Sequence, residues 1–299
     1  MSTLTNIGNS MRNYLNEYQV YSCLHLDEAL NLMQQDPKPI PFAGGTDLMV
    51  LLHNQKLPSG IYLNLNTIQE LQSKIDVQEK QIIFSALTTY HDVRMHPYFK
   101  NNMIILPLAA SLMGGINIQN MGTWAGNIAN ASPAADGVPA LMLYDAQVCL
   151  QSKNSKRTIL LSDFYQGYKL MDKKSDEIIT SIIIPKANEP AYEYYRKVGE
   201  RKAQAISKVI CGIRLEWDEN KSVRNARVIF GSVMPYTYRS HTLEQLLQGE
   251  KITSDLIHKG IDIIGNELHP IDDIRSNACY RLQVAKNLWK EALSNCLQS

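Results

Sequence analysis

Two short segments carry residue types whose spacing could do chemistry. The first is Pro41-Phe42-Ala43-Gly44-Gly45-Thr46-Asp47-Leu48. Pro39 to Ala43 is a short apolar run, and Thr46 to Asn54 reads as a helix that begins directly after the two glycines. Glycines at a strand-to-helix turn let backbone N–H groups approach an anion, and the new helix adds the positive end of its dipole. Thr46 and Asp47 suit a helix cap or a bond to ligand hydroxyls. The spacing fits neither a GxGxxG fingerprint nor a Walker loop. Alone, the same residues also make an ordinary turn followed by a cap.

The second segment runs from Thr123-Trp124-Ala125-Gly126-Asn127 through Ile128-Ala129-Asn130-Ala131-Ser132-Pro133-Ala134-Ala135 to Asp136. Its hydroxyls, amides, small side chains and single carboxylate suit a polyhydroxylated, phosphorylated ligand lying along the chain, with Asp136 as an acceptor. No spacing supports a Ser-His-Asp or Cys-His pair. His91, His96 and His241 stand alone and read as surface or satisfied core residues. The five cysteines, Cys23, Cys149, Cys211, Cys279 and Cys296, are scattered without a CxxC pair. An iron–sulfur cluster wants clustered thiolates, so none is expected on this chain. The chemistry left is that of holding a ligand.

Length and charge bound the rest. The chain has 299 residues, which predicts two domains. A net charge of +1 gives no basic excess to neutralise phosphates, so nucleic acid is not an expected partner. The longest apolar stretch, Met103 to Ala110, contains Pro107 and is far shorter than the ~20 residues of a membrane helix. Met1 to Asn13 is polar, without the apolar core of a signal peptide. A cytoplasmic protein without membrane insertion is the expectation.

The elements that must position the two segments follow from periodicity. Helices are expected at Leu26–Gln35 and Asn102–Leu112, and strands at Ile61–Leu65, Gln81–Ala86 and Glu177–Ile184, the last ended by Pro185. Val148 to Leu161 reads as a hairpin. Gly114 to Pro139 is rich in glycine and asparagine and reads as a long ordered loop, too small and polar in texture for a greasy core. Residues 186–190 read as a linker. Beyond it lie a hairpin, Ala205–Trp217 with Val223–Val233, and three helices, Tyr238–Gln248, Ser254–Leu268 and Ser276–Leu297. Strands followed by helices give an α+β order. The expected division is a first domain over 1–185, with 1–15 a flexible arm, and a second over 190–299.

Taken together, Ala43 to Leu48 and Gly122 to Asp136, about eighty residues apart, resemble the FAD-binding subunit of molybdenum hydroxylases. That family includes bacterial xanthine dehydrogenase, nicotinate dehydrogenase and aerobic carbon monoxide dehydrogenase. The resemblance covers nearly the whole chain after the arm. It implies a vanillyl-alcohol-oxidase-type FAD domain in two lobes, followed by a smaller α+β domain of the carbon monoxide dehydrogenase flavoprotein type. It implies that Pro41 to Leu48 and Thr123 to Asn127 line the FAD pyrophosphate, and that Asp136 takes a polar group of the cofactor. Met113 falls at a flavin contact, and Lys197, in Arg196-Lys197-Val198-Gly199-Glu200-Arg201, matches a lysine near the isoalloxazine ring. Lys173 falls at another FAD contact, where relatives often carry an apolar residue. Ala125 stands where the family has the first glycine of a Gly-Gly-Asn triplet, and Trp124 replaces a smaller aliphatic residue.

The function implied is an electron-transfer oxidoreductase subunit with non-covalent FAD. It would take electrons from a [2Fe–2S] subunit and pass them to NAD⁺ or another acceptor, with molybdopterin on a further partner chain. A free-standing flavin oxidoreductase of the same fold and a cofactor-free scaffold are the alternatives.

Overall fold

The computed structural model describes residues 17–187, 191–201 and 204–298. The expected arm at 1–15 and part of the expected linker, residues 188–190, lie outside them.

The first lobe is built on a three-stranded parallel sheet. Gly60–Asn64 runs in its centre, flanked by Tyr18–Ser22 and Ile40–Phe42. The helix expected at Leu26–Gln35 closes early, at Leu32, where the Met33 N–H turns back to Ala29. Helix Thr46–His53 follows the glycine turn as expected and buries none of its side chains.

The second lobe carries a five-stranded antiparallel sheet in the order Ile75–Val77, Gln81–Ser85, Ile178–Pro185, Gln147–Gln151, Lys156–Leu160. Ile182 and Ile184 of the central strand are fully buried, as are Ile82 and Phe84 of its neighbour, so one sheet face supplies the core. Helices Tyr90–Met95 and Ile105–Ser111 pack over this lobe. The expected helix at Asn102–Leu112 thus starts three residues late.

The segment expected as a long loop, Gly114 to Pro139, folds instead into three short helices, Ile116–Met121, Trp124–Asn130 and Gly137–Met142. It also enters the core, because Trp124, Ile128 and Val138 have no exposed surface. A stretch of glycine and asparagine hides this, since neither residue favours a helix. Here tertiary burial and a cap supply what propensity does not: the Thr123 hydroxyl accepts from the Gly126 N–H at 3.0 Å.

The C-terminal sheet orders Ala191–Val198, Val209–Trp217, Val223–Gly231 and Tyr238–Arg239, backed by helices His241–Leu247, Ser254–Glu267 and Ala278–Gln298. Tyr238 and Arg239, expected to open a helix, pair with Phe230 and Ile229 as a short strand. The helix starts after Ser240, whose hydroxyl accepts from the Leu243 N–H.

Its own core centres on Trp289, which donates to the Ile257 carbonyl at 3.0 Å. Yet Tyr195, Ile210 and Ile229 of this sheet belong to the core of the first two lobes. Asp145, at the end of the preceding helix, accepts from Arg227 at 2.7 Å and Arg239 at 2.9 Å. The C-terminal sheet is therefore bonded to the rest by both apolar packing and ion pairs.

Candidate active site

A cavity of about 260 Å³ opens between the first and second lobes. All of Pro41 to Leu48 line it from one side, and Thr123, Ala125, Gly126 and Asn127 line it from the other, with Lys173 at its edge. The two motifs that the sequence separates by about eighty residues thus face each other across one cleft. Ligand pockets commonly measure ~300–1,000 Å³, so this one takes a limb of a large ligand rather than its whole length.

The polar groups of the first wall include backbone donors. Helix Thr46–His53 has no side-chain cap, so the N–H groups of its first turn have neither an intrahelical acceptor nor a capping oxygen. They open on the cavity with the positive end of the helix dipole behind them. Gly45 begins the turn at φ 66°, the left-handed region where glycine costs least.

Gly44 is required for a different reason from the one its sequence context implies. A Cβ there would lie 1.8 Å from the Met121 carbonyl oxygen and 3.2 Å from the Gly122 Cα. The residue is small because the two walls of the cleft touch through their backbones, whatever ligand approaches.

The second wall is more fully satisfied. The Trp124 N–H donates to the Thr88 carbonyl, and the Gly126 and Asn127 N–H groups return to Thr123, which leaves the Ala125 N–H without an acceptor among the described residues. The Asn127 carboxamide oxygen accepts from the Gly137 N–H at 3.2 Å, fixing this helix to the next. Trp124, expected on the cofactor, does not line the cavity. Its indole is wholly buried between Phe84 and Tyr90, because a ring that size gains more from the core than from a wet cleft.

Met113, Asp136 and Lys197 also lie off the cavity lining and form a second cluster at the C-terminal sheet. Lys197 Nζ donates to Asp136 Oδ2 at 2.6 Å and to the Leu112 carbonyl at 3.0 Å, next to buried Met113. Both charged side chains are nearly buried, with 7% and 10% exposed. The sequence reading gave the two residues separate roles; the fold makes them one ion pair. Burial pushes the Asp136 carboxyl up, and Lys197 opposes that without cancelling it. Asp136 Oδ1 is buried and makes no hydrogen bond of normal geometry among the described residues, although the Ser207 hydroxyl is near enough to draw the carboxyl down, so the position suits a further donor.

Lys173 sits on a turn held by Glu177. The Glu177 carboxylate accepts from Arg157 at 2.6 and 2.8 Å and from the Lys174 N–H at 2.7 Å. Burial pushes the Lys173 amine down, against the pull of Glu177 and Asp176. Lys173 therefore brings a lysine to the cavity, the one among the described residues that line it, in place of the apolar residue the resemblance leads one to expect.

Sequence reasoning missed Ile40, Leu65, Ala86, Tyr90, Ile178 and Ile179, which complete the lining together with Ala129 and Asn130 of the second segment. Most of them look like ordinary core positions, and no local signal marks them. Tyr90 had one: Thr89 and Asp92 form a capping box that starts its helix and fixes its direction.

A two-lobed α+β fold with an uncapped helix start opening on the cleft between the lobes is suited to holding a phosphorylated ligand. Residues 16–187 match the family described as FAD binding domain in molybdopterin dehydrogenase, and residues 193–296 match the CO dehydrogenase flavoprotein C-terminal domain. The chain belongs to this family, whose members are oxidoreductase chains that bind FAD. It is 27% identical to the nicotinate dehydrogenase FAD-subunit of Eubacterium barkeri, over 95% of this chain and 97% of that one. It is 26% identical to the glyceraldehyde dehydrogenase medium chain of Sulfolobus acidocaldarius, over 93% and 98%. Among solved structures, carbon monoxide dehydrogenase from Hydrogenophaga pseudoflava superposes with a TM-score of 0.86 at 22% identity, covering 92% of this chain and 95% of that one, which shows the shared fold.

The residues present fit FAD. Uncapped N–H groups suit a pyrophosphate, and the orphaned Asp136 Oδ1 suits a cofactor donor. Among the described residues no group of His, Cys, Asp and Glu could hold a metal ion, and no helix is long and apolar enough to cross a membrane.

Proposed function

We propose that this chain is the electron-transfer subunit of a xanthine dehydrogenase-like complex, standing between a [2Fe–2S] subunit and NAD⁺ or another acceptor, with molybdopterin on a third chain. The observation that carries the reading is the uncapped helix Thr46–His53 facing the Thr123–Asn127 turn across one cleft. Pro41 to Leu48, Thr123, Ala125, Gly126 and Asn127 hold the FAD pyrophosphate limb, with Lys173 beside them. Met113, Asp136 and Lys197 serve the ring end, and Trp124 supports the turn from the core. FAD supplies the redox chemistry, and this chain's residues bind and orient it. The division of labour follows the domains, 1–185 for the cofactor and 190–299 for closing the site from the C-terminal side.

The relatives are named for nicotinate and glyceraldehyde, two unlike substrates. That difference supports placing substrate choice on a partner chain. Work in the cytoplasm fits the reduced, scattered cysteines. Co-purification from the native host tests the whole reading: an iron–sulfur chain and a molybdenum chain should accompany this one and its FAD. A pure chain that turns over an N-heterocycle without partners would favour the free-standing flavin enzyme, and a chain that never holds flavin would favour the scaffold.

A further inference from the structure

We infer that the Tyr90 hydroxyl is a cofactor contact, donating a hydrogen bond to an oxygen of the FAD pyrophosphate–ribityl span. The inference rests on the FAD reading above. Tyr90 lines the cleft, yet its side chain is otherwise buried, with 4% exposed. Its hydroxyl forms no hydrogen bond to any described residue, whereas the buried tyrosines Tyr62, Tyr144, Tyr165 and Tyr195 all donate to protein oxygens. A phenol in the protein interior ordinarily finds a partner. The one direction left to this group is the cleft.

The ring is held for that purpose from three sides. Trp124 packs on it edge-on, with centroids 5.5 Å apart. Gly122 leaves it room, because a Cβ there would lie 2.8 Å from Tyr90 Cε2. The Tyr90 N–H donates to the Gly122 carbonyl at 3.2 Å, so ring and backbone are both tied to the turn that starts the second wall.

The hydroxyl stands in the fields of Asp47 on the first wall and Asp136 in the ring-end cluster. Tyr90 thus shares the cleft lining with the glycine turn and feels the charge of the Asp136–Lys197 pair, the two places that the FAD reading gives to the cofactor. Burial and these two carboxylates hold the phenol in its neutral, donating form.

The test compares wild type, Tyr90→Phe and Tyr90→Leu, full-length and stripped of flavin, by thermal melting and by titration with FAD. Tyr90→Phe should melt with the wild-type apoprotein, since its hydroxyl bonds to no described residue. It should bind FAD about 5- to 100-fold more weakly, the range for one lost hydrogen bond in a buried site. Tyr90→Leu, which also removes the ring, should lose thermal stability as well. A Tyr90→Phe affinity within twofold of wild type overturns the inference while leaving the FAD reading standing. Failure of the wild-type apoprotein to bind FAD overturns the FAD reading itself.

Discussion

Breaking the Asp136–Lys197 pair on either side should cost about as much as removing both charges together. The two groups meet at 2.6 Å with side chains 10% and 7% exposed, so neither charge has water to fall back on. Asp136→Asn leaves a buried ammonium beside one carbonyl, and Lys197→Met leaves a carboxylate of which one oxygen already lacks a partner. Stranding a buried charge in this way costs about 3–5 kcal/mol, a large part of the ~5–15 kcal/mol that holds a typical domain together. The double variant Asp136→Asn/Lys197→Met strands nothing, so its cost should be close to that of one single variant, giving a coupling energy of about 3 kcal/mol. Urea unfolding of the four flavin-free proteins reads this directly from midpoints at constant slope. Effects that add within about 0.5 kcal/mol would falsify the pairing. With flavin bound, the single variants should also move the reduction potential in opposite directions. Asp136→Asn leaves net positive charge and eases reduction, whereas Lys197→Met leaves net negative charge and hinders it. Shifts of the same sign would place the pair away from the ring.

Gly44→Ala should abolish soluble apoprotein or cost about 4 kcal/mol or more, because its methyl would meet backbone at 1.8 Å. Gly45→Ala, whose methyl would meet only the Phe42 ring at an ordinary 3.8 Å but sits at φ 66°, should cost only about 1–2 kcal/mol; equal effects in thermal melts would refute the difference. Glu177→Gln should destabilise by about 2 kcal/mol at pH 7, because Arg157 holds the Glu177 carboxyl below its ordinary value. A lowered carboxyl stabilises above its unfolded value of ~4.3 and loses that contribution as pH falls through the folded one, so the gap to wild type should close below about pH 4. A gap that stays constant in acid denaturation curves would contradict this. Finally, acid precipitation should release all yellow colour as free FAD, since the cavity lining includes neither Cys nor His; colour in the pellet would mean a covalent link.

The legible parts of the sequence were those in which one signal dominated. The strand-to-helix step at Gly44-Gly45 and the central strand Ile178–Pro185 were readable because apolar runs ended in unmistakable breakers. The segment from Gly114 to Pro139 was not, because its helices have only six or seven residues and the one that Thr123 caps is held by contact of Trp124 with Phe84 and Tyr90, which lie far away in the chain. Trp124 reads as part of a ligand loop because it sits among the small and amide residues of that segment; helical geometry sends its indole away from the cavity those neighbours line. Asp136 and Lys197 are 61 residues apart and carry no sign in sequence that each is the other's partner.

The backbone contact between Gly44 and Met121 also sets an order of events. Neither wall of the cleft is complete until segments about eighty residues apart have closed on each other, and such closure comes late for entropic reasons. On the reading that FAD lies in this cleft, the cofactor has no half-built site to nucleate on and enters a vessel the chain has already finished. Loading and unloading can then proceed without unfolding, and flavin scarcity should leave behind an intact protein waiting for its cargo, with its stability rising as FAD becomes available by mass action alone.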